Sequence, residues 1–304
     1  MNEQFTVTNE DGNIRLDVFL KKHVAVLSRE KVKKGILSGN ASIDGKTCDD
    51  PSFKVKASQT IDFSFEIESG LKPYEFQLKK VFEDDDFLVI SKPPGLVVHP
   101  GAGTKHDTLV NVLIAQYPNL VNVGERFRPG IVHRLDKGTS GLLLVAKNKE
   151  SFDYAKQLFT SREIRKEYVA LVVGRVIGPH GFIEKSLAPS YKGRKVKVSS
   201  EGREAKTEYN VLGYYSDGID DYTLIRVILH TGRTHQIRVH FSSIGHPVAG
   251  DDTYGAGSPN LAGLSRQFLH AKRLMFKLPS GTTLDVEDEL PDDLQEVLNN
   301  LIKI

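Results

Sequence analysis

The sequence predicts an α+β protein with two parts: a small N-terminal unit of helices and a hairpin, then a larger unit built on a mixed, mostly antiparallel β-sheet with flanking helices. Between residues 14 and 60, apolar residues recur at helical spacing and a tight-turn signal follows them. From residue 75 onward, short runs rich in Val, Ile and Leu outnumber the helical segments and do not alternate with them. A length of 304 residues suits one large domain plus a small one.

The N-terminal unit opens with an amphipathic helix over residues 16–27. Its apolar residues lie three or four positions apart: Leu16, Phe19, Leu20, Val24 and Leu27. Ser28 is a suitable cap for a second helix, which Gly39 ends. Asp44 and Gly45 predict a type I′ turn, and residues 54–66 alternate polar and apolar side chains as a strand does.

The small domain is predicted to span residues 1–67, and 68–73 to be a linker without periodicity. The larger domain then occupies residues 74–304. Strands are predicted at 87–100, 140–148, 166–176, 222–230 and 273–279. Helices are predicted at 108–116, 151–160, 235–243 and 292–302.

Positive charge is concentrated in the small domain. The formal net charge is only +2, yet residues 14–60 hold ten Lys or Arg against five acids. Cys48 is the single cysteine, so neither an internal disulfide nor a cysteine-rich zinc site is expected. The sequence has no apolar run of membrane-spanning length and no signal-peptide pattern, so we expect a cytoplasmic protein without a membrane partner.

The common catalytic motifs are missing. The sequence contains no GxxxxGK[ST] phosphate loop, and the glycines at 101–103 lack the third glycine of a dinucleotide fingerprint. Residues 139–141 do not form the GxSxG elbow of a hydrolase, which leaves Ser140 as a turn residue. The ten histidines form no HExxH motif or other close ligand set. We therefore expect neither a cofactor nor a metal.

One polar cluster remains, in RPGIVHRLDKGTSGLLLVAKN at 128–148. Asp136 lies there among His133, Arg134 and Lys137, just ahead of an apolar run. A loop carboxylate before a buried strand is well placed to face a cleft. By residue type alone, however, an aspartate near glycine is better explained as a turn or cap residue.

A family resemblance favours the catalytic explanation. HRLDKGTSG at 133–141 resembles, over its whole length, the signature of the RluA-type pseudouridine synthases. Further blocks resemble that family in its order: KPPGLVVHPG, RKEYVALVVG, TGRTHQIRVH, GHPVAGDDTYG and LHAKRLMF. Residues 14–60 separately resemble an S4 RNA-binding domain. The resemblance implies an S4 domain followed by a pseudouridine synthase catalytic domain.

The resemblance also implies roles for individual residues. Asp136 corresponds to the catalytic aspartate, Tyr168 to the active-site tyrosine and Arg238 to the basic partner of the aspartate. Arg238 would keep Asp136 ionised in a desolvated site, and the Tyr168 ring can stack on a detached uracil. The carboxylate could attack the base, attack the sugar or remove a sugar proton, and the sequence does not choose among these.

The resemblance implies RNA as the partner, specifically large-subunit ribosomal RNA or its precursor particle. We expect a monomer, since nothing in the sequence demands an oligomer. Arg134 corresponds to the arginine that fills the space left by a flipped nucleotide. Other candidate RNA-binding residues are basic: Arg29, Lys31, Lys33, Lys34, Lys206 and Arg233. Three histidines in matching blocks are expected to be structural hydrogen-bonding groups: His235, His240 and His270.

One block departs from the family. Relatives carry a Pro-Leu-Gly-Arg sequence where this chain has residues 186–189, Ser-Leu-Ala-Pro, so the RNA contact of that arginine is not expected here. Two alternatives to the synthase remain. One is a non-catalytic RNA-binding or ribosome-assembly factor, which intact Asp136, Tyr168 and Arg238 disfavour. The other is a hydrolase that uses Asp136 with His133, which would release free uracil.

Overall fold

The computed structural model describes most of the chain as two compact units, residues 1–70 and 71–304. The described residues are 2–24, 27–65, 71–101, 104, 106–190, 195–257, 259 and 261–304. Of the predicted linker, residues 68–70 lie outside this description.

The N-terminal unit combines two helices with an antiparallel sheet. The helices are α1 (Leu16–His23) and α2 (Arg29–Leu37). The strands are β1 (Asn2–Thr6), β2 (Ala41–Ile43), β3 (Lys46–Thr47) and β4 (Thr60–Ser64), in the order β1-β4-β2-β3. The apolar stripe of α1 packs with Phe63 into one buried core.

Local sequence signals explain most of this unit. The Ser28 side chain accepts a hydrogen bond from the Lys31 backbone N–H, which caps α2 as predicted. Asp44 and Gly45 both adopt positive φ, at 50° and 78°, as a type I′ turn requires. Two predicted lengths were wrong: α1 ends at His23, and the strand predicted at 54–66 is formed only over 60–64. Residues 25, 26 and 66 lie outside the described residues.

Within its described residues, the larger unit contains a ten-stranded mixed sheet. Its central path runs β11-β14-β15-β10-β16-β9-β6-β5, with β17 beside β16 and β18 beside β14. Two short ribbons, β7-β8 and β12-β13, lie outside the sheet. The strands are β5 (Lys79–Glu83), β6 (Phe87–Lys92), β7 (Gly124–Glu125), β8 (Arg128–Pro129), β9 (Ser140–Ala146), β10 (Arg165–Val173), β11 (His180–Glu184), β12 (Leu187–Pro189), β13 (Val196–Val198), β14 (Lys206–Ser216), β15 (Asp221–Leu229), β16 (Leu269–Lys277), β17 (Thr283–Glu287) and β18 (Ile302–Lys303).

The pairing of β9 with β16 is parallel, whereas the other pairings described in this sheet are antiparallel. The flanking helices are α3 (Leu109–Gln116), α4 (Lys149–Ser161), α5 (Gln236–Ser242) and α6 (Asp292–Asn299), with a 3-10 helix at Pro118–Asn122. The predicted α+β class is thus confirmed. No helix in the described part of the chain is both long enough and apolar enough to cross a membrane.

The strand predicted at 87–100 was wrong in its second half. β6 ends at Lys92, because Pro93 and Pro94 cannot donate to a sheet ladder and Gly95 has a φ of +83°. The chain then forms an irregular segment whose Gly95 backbone N–H donates to the carbonyl of Lys137. This turn brings the KPPG segment against the loop that carries Asp136.

One face of the sheet forms the floor of the candidate site. Tyr168 on β10 pairs with Val227 on β15 and with Ala271 on β16, and all three side chains belong to one buried core. Phe241 of α5 packs into the same core. This packing fixes α5 close to the middle of the sheet.

Candidate active site

A cleft of about 570 Å³ collects the residues that the sequence singled out as catalytic. Asp136, Tyr168 and Arg238 all line it, although they lie on a loop, on β10 and on α5. Arg134 and Arg233, two predicted RNA-binding residues, line it as well. A cavity of this size is typical of a site that encloses a small group such as a nucleotide.

The loop that carries Asp136 is held by hydrogen bonds from other segments. The Lys92 ammonium is buried beneath the loop, where it donates to the Lys137 carbonyl and to the carbonyls of Pro93 and Leu96. Burial and repulsion by Arg266 lower the pKa of Lys92 to about 7, against the opposing attraction of Asp136. Lys92 thereby ties the end of β6 to the residue next to Asp136.

Two residues ahead of β16 hold the other side of this loop. The Arg266 guanidinium donates to the carbonyl of Gly138 and to Ser140 Oγ. Gln267 Nε2 donates to Thr139 Oγ1 and lies so close to Gly138 that any side chain at that position would displace it. A side chain at position 138 would therefore require the Gln267 side chain to move from its hydrogen bond with Thr139.

Gly141 shows why the motif ends in a second glycine. Its φ is +109°, and a Cβ there would collide with the backbone of Ala271 on the parallel strand β16. Ser140 begins β9, is buried and hydrogen-bonds His270 Nδ1 at 3.0 Å, so its prediction as a turn residue was wrong. The motif thus joins a loop to a buried strand with little tolerance for side chains.

Arg238 is the centre of an ion triad. Its Nη1 donates to Asp136 Oδ2 at 3.1 Å. On the other side, Nε and Nη2 donate to the two oxygens of Asp251, at 2.7 and 2.8 Å. The Asp251 side chain is fully buried, whereas that of Asp136 keeps 16% of its surface exposed. Asp251 thus orients the guanidinium, and the more accessible Asp136 faces the cleft.

The triad stabilises the charged forms of Arg238 and Asp251. Burial alone would raise the pKa of Asp251, but the hydrogen bonds and charge of Arg238, with the backbone N–H groups of Thr253 and Tyr254, hold it below its ordinary value. Burial alone would lower the pKa of Arg238, and the two carboxylates raise it instead. Arg238 therefore stays cationic beside Asp136 throughout the physiological range.

His235, predicted to be structural, lies beside the triad. Its Nδ1 hydrogen-bonds the Tyr254 hydroxyl at 2.8 Å, and its Nε2 is 3.8 Å from Asp136 Oδ1. Burial lowers the pKa of His235, an effect that the nearby Asp136 charge opposes. The ring is therefore mainly neutral at pH 7. The Tyr254 ring also lies under the Arg238 guanidinium, at 5.2 Å, and fixes both groups.

Tyr168 lies in the middle strand of the cleft floor. The side chain is buried, and burial together with the negative charge of Asp136 raises the pKa of its hydroxyl. The phenol therefore stays protonated at neutral pH. Because it lines the same cleft as Asp136, its ring can stack on a bound base and its hydroxyl can reach that base.

The predicted RNA-binding residues of the larger unit have different environments. Arg134 is exposed at the cleft. Arg233 is half-buried, and its Nε donates to the Glu204 carbonyl. Lys206 does not line the cleft: its ammonium pairs with Glu184 at 2.7 Å and lies 4.6 Å over the ring of Phe182. The structure thus brings Arg134 and Arg233 to the cleft.

The predicted basic residues of the N-terminal unit also divide into two groups. The guanidinium of Arg29 is 3.0 Å from the buried carboxylate of Asp17, and Lys33 is 3.9 Å from it. Lys31 and Lys34 instead line an open groove next to Asn40. The first pair contributes to the fold of this unit, which a count of charges in the sequence could not reveal.

Three further histidines make hydrogen bonds that hold the fold. His133 Nε2 accepts a hydrogen bond from the Leu144 backbone N–H, and its ring stacks on Phe159. His240 hydrogen-bonds Thr207 and the Lys185 carbonyl, and His270 hydrogen-bonds Ser140 and the Asp288 carbonyl. His133 lines the same cleft as Asp136, but its Nε2 already accepts the Leu144 N–H. This hydrogen bond disfavours the hydrolase alternative, which needs His133 as a partner of Asp136.

Sequence reasoning missed several residues that hold the site. The residues are Lys92, Asp251, Tyr254, Arg266 and Gln267. Asp251 and Tyr254 lie in the block GHPVAGDDTYG, and Lys92 begins KPPG, so the blocks themselves were a usable signal. Arg266 and Gln267 lie outside any such block and carried no signal.

Comparisons with known proteins agree with this geometry. Residues 86–243 match the sequence profile described as RNA pseudouridylate synthase, and residues 14–61 match that of the S4 domain. The ribosomal large subunit pseudouridine synthase D of Yersinia pestis is 37% identical, over 97% of this chain and 93% of that protein. The protein of the same name from Zymomonas mobilis is 39% identical, over 99% and 98%.

A solved structure shares the fold. It is human RNA pseudouridylate synthase domain containing 1, which is 28% identical with a TM-score of 0.60 and covers 77% of this chain and 91% of that one. The profile match spans the Asp136 loop, β10 and α5, the three elements that build the cleft. With an S4 domain at its N-terminus, the chain belongs to the RNA pseudouridylate synthase family.

Proposed function

We propose that this chain acts in the cytoplasm as a monomer that isomerises uridine to pseudouridine in large-subunit ribosomal RNA, with Asp136 as the catalytic carboxylate. The observation that carries the proposal is the Asp136 carboxylate itself, which faces the cleft and is bonded to a permanently charged Arg238. The names of the similar bacterial proteins support the choice of RNA.

The reaction rearranges atoms without net oxidation. The bond from uracil N1 to the ribose C1′ breaks, the base turns, and a bond from C5 to C1′ forms. The proton on C5 leaves, and N1 gains one. Asp136 can serve as the nucleophile at base or sugar, or as the base that removes a sugar proton. Arg238 stays cationic in the desolvated site and donates a hydrogen bond to the Asp136 carboxylate.

The target base is stacked inside RNA, so it must leave the stack to reach Asp136, at a cost of a few kcal/mol. Arg134 is exposed at the cleft, two residues before Asp136. Its planar cation can stack in the gap and can also bond phosphate. We therefore assign Arg134 the task of supporting the flipped state.

The test is pseudouridine formation by the purified protein. Transcribed large-subunit ribosomal RNA should acquire pseudouridine at specific positions without added cofactor, and the same positions should be unmodified in cells that lack the gene. Binding without modification would instead indicate an assembly factor, and release of free uracil would indicate a hydrolase. Small-subunit ribosomal RNA serves as the control substrate.

Tyr168→Phe separates the ring from the hydroxyl. We expect turnover to fall by about 100-fold or more, because general acid–base groups typically contribute that much, whereas RNA affinity should hardly change. Tyr168→Ala should weaken binding of the target as well, since the stacking surface is lost. Single-turnover rates and affinities of the two variants check this, and unchanged turnover of Tyr168→Phe would show that the hydroxyl takes no part.

Lys31 and Lys34 are proposed to bind RNA phosphates. Replacing both with glutamine should weaken binding of structured ribosomal RNA and lower the slope of log affinity against log salt by about 1.5, since each phosphate contact contributes roughly 0.7 to 0.9. The pair Lys54→Gln with Lys56→Gln carries the same charge change outside the groove lining. Equal slopes for the two double variants would remove Lys31 and Lys34 from the RNA contact.

A further inference from the structure

The cleft carries far more positive charge than the catalytic pair requires. Asp136 is the one acidic residue among its described lining residues. Seven lining residues are Lys or Arg, in a chain whose formal net charge is only +2: Arg128, Arg134, Lys156, Arg162, Lys166, Arg233 and Arg238. Lys156 lies on α4, Arg162 is the C-cap of that helix and Lys166 lies on β10, and the proposed reaction uses none of the three.

Lys166 is the unusual member of this group. It lies two residues before Tyr168 on β10, and both residues line the cleft. The ammonium lies 5.2 Å from the centroid of the Phe159 ring, and burial lowers the pKa of Lys166 to about 8. No carboxylate in the described part of the chain contributes to that pKa.

The neighbours of Lys166 cannot neutralise it. The ring of Phe159 stacks on His133, and His133 Nε2 accepts the hydrogen bond of a backbone N–H. Burial, with a smaller contribution from the charge of Lys166, lowers the pKa of His133 to about 3, so this ring is neutral. A half-buried cation beside two uncharged rings is partly desolvated, and an anion that joins it offsets the cost of that desolvation. At pH 7 Lys166 is still mainly protonated, so the cleft presents a preformed site for an anion.

We propose that Lys166, with the exposed Lys156 and Arg162, forms a phosphate subsite that binds the RNA backbone next to the flipped uridine. The inference rests on the proposed function, since that function brings RNA into the cleft. Lys166 lines the same cleft as Tyr168 and Asp136, so a phosphate bound there would belong to the RNA segment that carries the flipped nucleotide. Lys156 and Arg162 extend the subsite along the cleft wall at the C-terminal end of α4.

Binding to a large-subunit ribosomal RNA fragment tests the subsite, with Asp136→Asn present in every protein so that turnover does not intervene. Lys166→Met keeps the apolar length and removes the charge. We expect the affinity at low salt to fall about tenfold and the salt slope to fall by about 0.7 to 0.9, as one lost phosphate contact requires. Lys166→Arg should bind nearly as well as lysine.

Lys149→Met is the matched control. Lys149 is exposed at the first turn of the same helix and does not line the cleft, so the same change of net charge should leave affinity and slope nearly unaltered. Lys156→Gln with Arg162→Gln provides a second measurement at exposed positions, where packing is not disturbed. We expect this double variant also to lower the slope of log affinity against log salt. Inorganic phosphate at millimolar concentration should weaken RNA binding more in the protein that keeps Lys166 than in Lys166→Met.

The subsite is rejected if Lys166→Met and the double glutamine variant both match Lys149→Met in affinity and salt slope. That result would leave the proposed function intact, because pseudouridine formation by the unmodified chain is measured separately. Conversely, the unmodified chain could bind RNA through the subsite and never isomerise it in the separate assay. That result would support the phosphate subsite and contradict the proposed synthase activity. A thermal midpoint of Lys166→Met no lower than that of the lysine form shows that the binding loss is not unfolding.

Discussion

Asparagine in place of Asp136 is expected to reduce pseudouridine formation to the background level while RNA binding persists. The amide keeps the shape of the side chain and can still accept a hydrogen bond from Arg238, but it is neither a nucleophile nor a base. Binding should change little because phosphate contacts at the cationic cleft dominate affinity. We therefore expect Asp136→Asn to lose turnover and to keep its affinity for RNA.

The measurement is single-turnover conversion with saturating enzyme, alongside an independent affinity for the same RNA. Asp153→Asn, on the exposed side of α4, is the matched control and should behave as the unmodified chain does. The Asp136 variant must be prepared from cells without the native gene so that no active enzyme contaminates it. Measurable turnover in such a preparation would contradict the assignment of Asp136 as the catalytic carboxylate.

Arg238→Ala is expected to have the second-largest effect, on stability as well as on activity. It leaves the fully buried carboxylate of Asp251 without its bidentate partner and Asp136 without its cation. Breaking a buried ion pair by removing one member typically costs about 3 to 5 kcal/mol. We expect a thermal midpoint lower by several degrees and a turnover reduced by about 1,000-fold or more, with the assay kept below that midpoint.

Arg238→Lys distinguishes charge from geometry. A lysine retains the positive charge, but its single ammonium cannot bond both oxygens of Asp251 while also reaching Asp136. We expect it to recover only part of the activity and of the stability. Circular dichroism melts and single-turnover rates for the two variants provide the comparison. Full activity in Arg238→Ala would show that the pairing with Asp136 has no catalytic role.

Short-range patterns in the sequence determined much of the fold. The cap at Ser28 and the turn at Asp44 and Gly45 depend on neighbouring backbone groups only, so a few residues suffice to predict them. The buried strand at 140–146 was predictable because an uninterrupted apolar run must be covered on both faces. Strand ends and short edge strands were harder to predict, as β6 shows, because their lengths depend on which partner lies alongside.

The residues of the candidate site were also predictable only in part from the sequence. Family resemblance placed Asp136, Tyr168 and Arg238 in one site, and the structure brings them to one cleft from three separate elements. Only the tertiary structure identified Asp251 as the group that orients Arg238. In the sequence, Asp251 is one acid of a pair with Asp252 and gives no sign of which is buried.

The lysines and arginines show most clearly what the sequence alone does not determine. In the sequence all lysines and arginines count alike, so Arg29 and Lys31 both appeared as RNA ligands and Lys166 went unnoticed. Folding brings Arg29 to Asp17, places Lys31 in the lining of a groove and places the half-buried Lys166 beside uncharged rings. The energy of a charge depends on its desolvation and on its partners, and long-range packing alone sets both. The sequence by itself determined which chemical groups this protein has, and the tertiary structure decided which of them are available to a ligand.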